Sequence, residues 1–269
     1  MNIIIPIAAL GGLGAIFSVW LMFASRLFAV KMDPKVERIL SLLPGANCGA
    51  CGLGGCSGFA KALVEGKIEV GMCGPSDPEA QKEIAGVLGV AFKAKLKTKA
   101  SVVCGGGTRC KDQFEYTEPA KTCVGAALLL GGHKACAFGC LGFGDCLKVC
   151  PFDAIKMGQD NIPIIDMDKC TGCGKCAYIC PKDVILLIPE DKHYYIKCNS
   201  KDKGPAVMKV CKAGCIACGK CVKACPVGAI TIEDNLARIN YEKCIDCGKC
   251  LKVCPTHAIA KRERGQNNG

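Results

Sequence analysis

The chain has 269 residues, a formal net charge of +11 and 25 cysteines, yet aromatic residues make up only 6% of it. So many cysteines beside so few large apolar side chains exclude a protein held together by a conventional hydrophobic core alone, so a covalent or inorganic component must contribute. Disulfides, zinc and iron–sulfur clusters compete for the cysteines, and only disulfides need an oxidising compartment.

Residues Ile3 to Ser25 carry no charge. A run of that length spans a bilayer core of ~30 Å as a helix. It lacks the positive n-region and the small-x-small cleavage site of a secretory signal, so a retained anchor is expected over residues 1–27. Arg26, Lys31, Lys35 and Arg38 follow at once, and positive residues flank the inner end of a membrane helix. The expectation is a single-pass protein of the cell inner (cytoplasmic) membrane, with everything after Arg26 on the cytoplasmic side. That setting disfavours disulfides. Ala8, Gly12, Ala15 and Ser18 share one helical face, which either admits a neighbouring membrane helix or reflects the abundance of small residues in such helices.

Asp33 to Leu43 predicts a short amphipathic helix. The segment LPGANCGACGLGGC then sets Cys48-x2-Cys51-x4-Cys56, with Cys73 following after sixteen intervening residues. Its glycines let the backbone turn tightly and bring amides to sulfur, compatible with a [4Fe–4S] site. Ser76-Asp77-Pro78-Glu79 reads as a helix start, the helix running to about Phe92 and closing a near-membrane domain of residues 33–92. Lys93, Lys95, Lys97 and Lys99 form either a basic hinge between domains or a solvated helix face.

The remainder contains an internal repeat. Cys136 opens CAFGCLGFGDCLKVCPFDAI, Cys170 opens CTGCGKCAYICPKDVI, Cys215 opens CIACGKCVKACPVGAI and Cys244 opens CIDCGKCLKVCPTHAI. Alternating apolar stretches at Ile162–Met167 and Leu236–Tyr241 predict strands. The unit is strand, cysteine loop, short helix, strand, and four units argue for two pairs, over residues 100–208 and 209–269.

The three later repeats carry Cys-x2-Cys-x2-Cys-x3-Cys-Pro, the run of bacterial two-cluster ferredoxins. Three close cysteines wrap one cube, while the fourth, expected to start a helix before proline, ligates the neighbouring cube. Zinc modules instead pair two Cys-x2-Cys units across a longer spacer. The crossover rule assigns Cys215, Cys218, Cys221 and Cys254 to one cluster and Cys244, Cys247, Cys250 and Cys225 to another. It assigns Cys170, Cys173, Cys176 and Cys150 to a third. The fourth takes Cys146 and Cys180, with Cys136 and Cys140 as the remaining ligands despite their stretched spacing. With Cys48, Cys51, Cys56 and Cys73 this makes five [4Fe–4S] clusters. Cys104, Cys110, Cys123, Cys198 and Cys211 are left, either as buried or free thiols or as the source of a sixth cluster. The fold class is therefore α+β: one N-terminal transmembrane helix, a small cysteine-rich [4Fe–4S] domain, and two tandem two-cluster ferredoxin-like domains.

Other chemistries find no footing. There is no Gly-x-Gly-x-x-Gly after a strand, no Walker loop and no nucleophile constellation. Gly105-Gly106-Gly107 lies between cysteines and reads as a cluster-binding loop. His133, His193 and His257 are scattered and read as surface or satisfied histidines, and Tyr194-Tyr195 as a strand packing face. Each cluster with four thiolates carries about −2, so six would nearly cancel the +11. Lys175, Lys220 and Lys249, inside the loops, are candidates for that balance. The basic composition therefore does not argue for nucleic acid.

The anchor, the LPGxNCGxCGxxGC motif with its distal cysteine, and the C-terminal ferredoxin pair together resemble the B-subunit family of the Rnf complex, the ion-translocating ferredoxin:NAD oxidoreductase. The resemblance spans essentially the whole chain, with Val103 to Met208 as the insertion of the longer, anaerobe-type form. It implies a translocase component that takes electrons from soluble reduced ferredoxin, relays them through its clusters and delivers them from the Cys48–Cys73 site to membrane and flavin-bearing subunits for eventual NAD reduction. The rival expectations are an electron-input polyferredoxin of another membrane complex, such as a hydrogenase or formate-oxidising assembly, and an iron–sulfur sensor.

Overall fold

A computed structural model describes residues 4–28, 33–91, 96–117 and 121–262. Lys31, Phe92, Lys93 and Lys95 lie outside the described residues. The first helix, α1 (Ile4–Leu27), contains an 18-residue stretch long and apolar enough to cross a membrane, with none of it buried against the rest of the chain. The Ser18 hydroxyl donates back to the Gly14 carbonyl at 2.8 Å, which satisfies the one polar group on the small-residue face within the helix itself.

Three helices form the near-membrane unit. In α2 (Pro34–Leu42), the Asp33 side chain accepts the Lys35 amide, and proline occupies the first turn, as a capped helix start requires. The cysteine loop leads into α3 (Gly55–Val64), a helix that no cap or periodic signal in the sequence announces. α4 (Pro78–Leu88) ends at Gly89, whose φ of 69° is left-handed. It therefore stops short of the expected Phe92, because glycine there reverses the chain. Val36, Ile39, Phe59, Leu63 and Ile84 pack as a small core that includes the buried Cys56.

The rest alternates short elements: β1 (Thr98–Val102), α5 (Cys123–Leu128), α6 (Asp145–Lys148), β2 (Ile155–Met157), β3 (Pro163–Ile165), α7 (Lys175–Ile179), β4 (Ile185–Pro189), β5 (Tyr194–Ile196), α8 (Gly204–Val210), α9 (Lys220–Ala224), β6 (Ile230–Glu233), β7 (Leu236–Ile239), α10 (Lys249–Val253) and β8 (Ile259–Lys261). Among the described residues they form four two-stranded antiparallel sheets: β1 with β4, β2 with β3, β5 with β8 and β6 with β7. Strands β3 and β7 fall where the alternating stretches predicted them. Asp234 and Asn235, both at positive φ, close the β6–β7 hairpin, as a two-residue turn of the primed type demands.

Two expected boundaries change. Thr98 and Lys99 belong to β1, pairing with Pro189 and Ile188, so the inserted unit begins before residue 100. The Lys99 ammonium is largely buried, donating to the Met167 carbonyl at 2.8 Å and lying 3.6 Å from Glu190. Lys97 pairs with Asp77 of the near-membrane unit at 2.6 Å, whereas Lys99 is held within the inserted unit, so neither is part of a loose hinge. At the other boundary, β5 precedes residue 208 but pairs with β8 in the C-terminal unit. The divide at 208 therefore cuts a sheet.

The repeat has a regular backbone. A glycine in the left-handed region (Gly144, Gly174, Gly219 or Gly248) precedes α6, α7, α9 and α10. Each of these helices carries the third cysteine of its repeat. The fourth cysteine does not start a helix, contrary to the expectation from sequence. Cys180, Cys225 and Cys254 end their helices in extended conformation, at ψ of 109°, 114° and 113°. The cause is the following proline, whose ring disfavours helical geometry in the residue before it. Three residues after that cysteine the chain again turns left-handed, at Asp153, Asp183, Gly228 and His257. His257 thus has a backbone role.

Candidate metal centres

Cysteines provide much of the packing in both later units. Cys140, Cys146, Cys170 and Cys176 are buried in one core with Val184 and Ile185, and Cys215, Cys221 and Cys250 in the other with Ile230 and Leu236. Among the described residues no three His, Cys, Asp or Glu side chains converge on a point that one metal ion could occupy. The thiols instead ring five cavities of similar size, each with 340 to 400 Å³ of space free of protein atoms, counting its open mouth. Equal cavities bounded by sulfur suit one repeated polynuclear occupant, and an all-thiolate donor set is what iron–sulfur clusters take.

Three cavities unite the sets named from spacing and crossover. One is lined by Cys150, Cys170, Cys173 and Cys176, another by Cys215, Cys218, Cys221 and Cys254, and a third by Cys225, Cys244, Cys247 and Cys250. The crossover follows from the extended fourth cysteine, which directs its thiol away from its own loop. The near-membrane thiols also meet, since Cys48, Cys51 and Cys56 all act on Cys73, whose pKa burial pushes up to about 11.

The fourth set is corrected. Cys140, Cys146 and Cys180 line one cavity, but their companion there is Cys123 and not Cys136. The backbone gives the reason. Gly142 and Gly144 are left-handed, matching Gly172 and Gly174 of the next repeat, so Cys140 takes the register of Cys170. Phe143 then stands where Cys173 stands, and this repeat lacks its middle cysteine. Cys123 fills the gap from α5: burial raises its pKa, and the amides of Asp145 and Phe143 counter that by pointing at its sulfur. Thr122 caps α5 by accepting the Gly125 amide at 2.9 Å, and the Asp145 carboxylate accepts the Val124 amide at 3.0 Å. These bonds hold Cys123 over the deficient loop. The sequence did contain the signal, as Cys140-x2-Phe143-x2-Cys146-x3-Cys150-Pro has the ferredoxin spacing with one substitution.

Cys136 lines a fifth cavity with Cys104, Cys110, Cys198 and Cys211, and Cys140 borders both this cavity and the preceding one. An antiparallel bridge sets Cys110 opposite Cys211. The Ala135 amide donates to the Lys111 carbonyl at 2.8 Å, which draws Cys136 alongside. The Cys110 thiol lies beside Cys136 and Cys211, which lowers their pKa values and raises its own. Cys104 faces them across Gly105–Gly107, its sulfur accepting the Gly106 and Cys140 amides at 3.4 and 3.3 Å. Cys198 also lines this cavity; its sulfur accepts the Cys215 and Ser200 amides, and burial raises its pKa to about 11. Comparable amide-to-sulfur bonds reach Cys170 from Ala100 (3.5 Å), Cys225 from Ala229 (3.2 Å) and Cys244 from Asp246 (3.4 Å). Such bonds favour the thiolate and tune a bound cluster.

Of the histidines, His193 pairs with Asp246 at 2.6 Å beside the Cys244 loop, and His133 packs among Tyr116 and Phe143. Lys175 and Lys249 line their cavities. Tyr194 and Tyr195 lie on β5, and the Tyr194 ring covers Gly248 so closely that a Cβ there would sit 2.5 Å from its hydroxyl oxygen.

The fold and its thiol-lined cavities define a membrane-associated iron–sulfur electron-transfer protein. Comparison with known proteins gives the same class and narrows it. A putative Fe-S cluster family matches residues 43–75, and a 4Fe-4S dicluster domain family matches residues 133–184 and 214–258. The chain is 40% identical over 90% of its length to the B subunit of the Na⁺-translocating ferredoxin:NAD⁺ oxidoreductase complex of Acetobacterium woodii, covering 72% of that protein. It is 45% identical over 85% of its length to the B subunit of the proton-translocating ferredoxin:NAD⁺ oxidoreductase complex of Clostridium ljungdahlii, covering 81%. It is also 40% identical over 88% of its length to the B subunit of the ion-translocating oxidoreductase complex of Methanosarcina acetivorans, covering 90%. The chain belongs to the B-subunit family of ion-translocating oxidoreductase (Rnf) complexes.

Proposed function

We propose that the chain takes electrons from soluble reduced ferredoxin and hands them to membrane subunits through six [4Fe–4S] clusters, for eventual reduction of NAD. The observation that carries this is a continuous series of thiol sets. Cys48 acts on Cys173, and Gly74 lies against Gly172 and Cys173, so the near-membrane set abuts the Cys170 set. Cys146 acts on Cys176, joining the Cys170 set to the Cys123 set. The Cys140 amide donates to the Cys104 sulfur. Cys198 lies between Cys136 and Cys215, and Cys221 acts on Cys250. When bound, a [4Fe–4S] cluster accepts and releases one electron without making or breaking bonds to substrate.

On this reading Cys104, Cys110, Cys136 and Cys211 hold the sixth cluster, and Cys198 is the spare thiol between two sites. The ferredoxin:NAD⁺ activity in the names of the A. woodii and C. ljungdahlii relatives suggests the donor and the acceptor. The near-membrane set is the exit. Arg26, Lys35 and Arg38 after the anchor support a cytoplasmic position for the cysteine units, where a soluble donor would reach them.

Iron analysis of the anaerobically reconstituted chain tests the count. About 24 irons are expected, unchanged by Cys198→Ala and lowered by about four in Cys211→Ala. Iron near eight, or stoichiometric zinc, overturns the reading.

Entry is expected at the C-terminal pair, where Cys218 and Cys247 are exposed and Lys220, Lys223, Lys249 and Lys252 face solvent. An acidic donor would be steered there in a salt-dependent way. Combining Lys220→Glu, Lys223→Glu, Lys249→Glu and Lys252→Glu should slow reduction by ferredoxin on the order of tenfold at low salt and flatten the salt dependence, at full iron content. Stopped-flow bleaching of the cluster absorbance reads the rate, and an unchanged rate would move the entry site elsewhere.

A further inference from the structure

Arg262 is a buried guanidinium at 8% exposure. It follows β8 and reaches across to the inserted unit. Its Nε donates to the Lys192 carbonyl at 3.0 Å, one Nη to the Pro189 carbonyl at 2.5 Å, and the other Nη to the Ser101 hydroxyl at 3.3 Å. Its own amide donates to the His193 carbonyl at 2.7 Å. All of these acceptors are neutral, and among the described residues no carboxylate lies within 4 Å of the guanidinium. Asp246, the nearest acid that acts on it, is engaged by His193 at 2.6 Å. Arginine stays charged at any working pH, and a buried charge needs a counter-charge or it is costly.

The counter-charge is close by in the site series. Cys170 acts on Arg262, more weakly than Tyr241, Tyr195 and Asp246 do. Ser101, which accepts from the guanidinium, is the neighbour of Ala100, whose amide donates to the Cys170 sulfur at 3.5 Å. Arg262 thus stands within the influence of both units, of Cys170 in the inserted one and of Tyr241 and Asp246 in the Cys244 one.

We propose that Arg262 is a positioning residue whose charge raises the reduction potential of the cluster held by Cys150, Cys170, Cys173 and Cys176. The inference rests on the assignment of a cluster to that set. One electron enters, no bond or proton changes, and the cluster with its thiolates passes from about −2 to about −3. A fixed cation favours the more negative state, and Lys175 at the cavity wall adds to the same field without sharing the burial of Arg262.

The test is an EPR-monitored redox titration of the full reconstituted chain carrying Arg262→Gln, Arg262→Met or Arg262→Lys. Both neutral variants should lower the reduced-to-oxidised ratio of one component about tenfold at fixed potential, equivalent to about 59 mV for a one-electron couple. That size suits one unit charge about 12 Å from the cluster in an effective dielectric of about 20. Arg262→Lys should keep the wild-type ratio. The shifted component should be missing in Cys173→Ala, whose iron content independently checks the cluster assignment. The proposal is overturned if no component shifts, if the shift persists in the Cys173→Ala background, or if lysine shifts it equally. Loss of iron from both neutral variants would mark Arg262 as a clasp between the two units and overturn it too.

Discussion

Replacing Cys51 with serine should abolish electron delivery to the membrane partners while leaving the distal sites able to oxidise reduced ferredoxin. Cys51 sits in the glycine-rich loop before α3, among the thiols that act on Cys73. Beside this set, Gly74 lies against Gly172 and Cys173 of the inserted unit. Removing one thiolate of four should cost that site its cluster, about four irons, and so remove the last carrier before the anchor. The other sites draw their thiols from separate elements, and their cores do not include α2, α3 or α4. Their filling should therefore be unaffected. Two assays on the same preparation separate the effects: bleaching of the chain by reduced ferredoxin, and ferredoxin-dependent NAD⁺ reduction by the assembled complex. The first should keep most of its amplitude and the second should fall to background. If both survived, the exit would lie at another site.

The elements most legible in the sequence are those governed by local rules. The anchor follows from an uncharged run, α2 from its amphipathic pattern, the start of α4 from its cap and proline, and β3 and β7 from alternation. The Cys-Pro repeats set the register of three loops because spacing and proline act within a few residues. What is not legible depends on contacts between distant segments. The β5–β8 pairing joins residues over sixty positions apart, and nothing local in Tyr194–Ile196 says which unit it will join. The bridge that sets Cys110 against Cys211 likewise spans about a hundred residues, so the five leftover cysteines carry no visible pattern. Arg262 is hidden for the same reason: its partners Ser101, Pro189 and Lys192 meet only in the folded chain. The Phe143 repeat differs from these. Its spacing is present in the sequence, but Cys136 offers a fourth cysteine upstream and so masks the register that Cys140 holds.

That register yields the second large prediction. Cys123→Ser and Cys136→Ser should each remove about four irons, but from different sites, so the double variant should lose about eight. If Cys136 and Cys123 served one cluster, the double variant would lose no more than either single one. A gain-of-function variant is more discriminating. In the Cys123→Ser background, Phe143→Cys supplies the thiol that Cys173 supplies in the next repeat, at the same step between Gly142 and Gly144. Phe143 is only partly buried and packs against Tyr116 at 6.3 Å and His133 at 5.1 Å, so exchanging the ring for a thiol costs part of that packing, roughly 3 kcal/mol or less. The exchange should restore iron to about 24 and restore transfer between the soluble and near-membrane sites, whereas Phe143→Ser should restore neither. Rescue by cysteine alone would show that the amides of Phe143 and Asp145 address one ligand position, filled here from α5 instead of from the loop. Failure of the rescue at full iron loss would return Cys123 to the role of a packed thiol. The fourth set would then need another ligand near Cys140, Cys146 and Cys180.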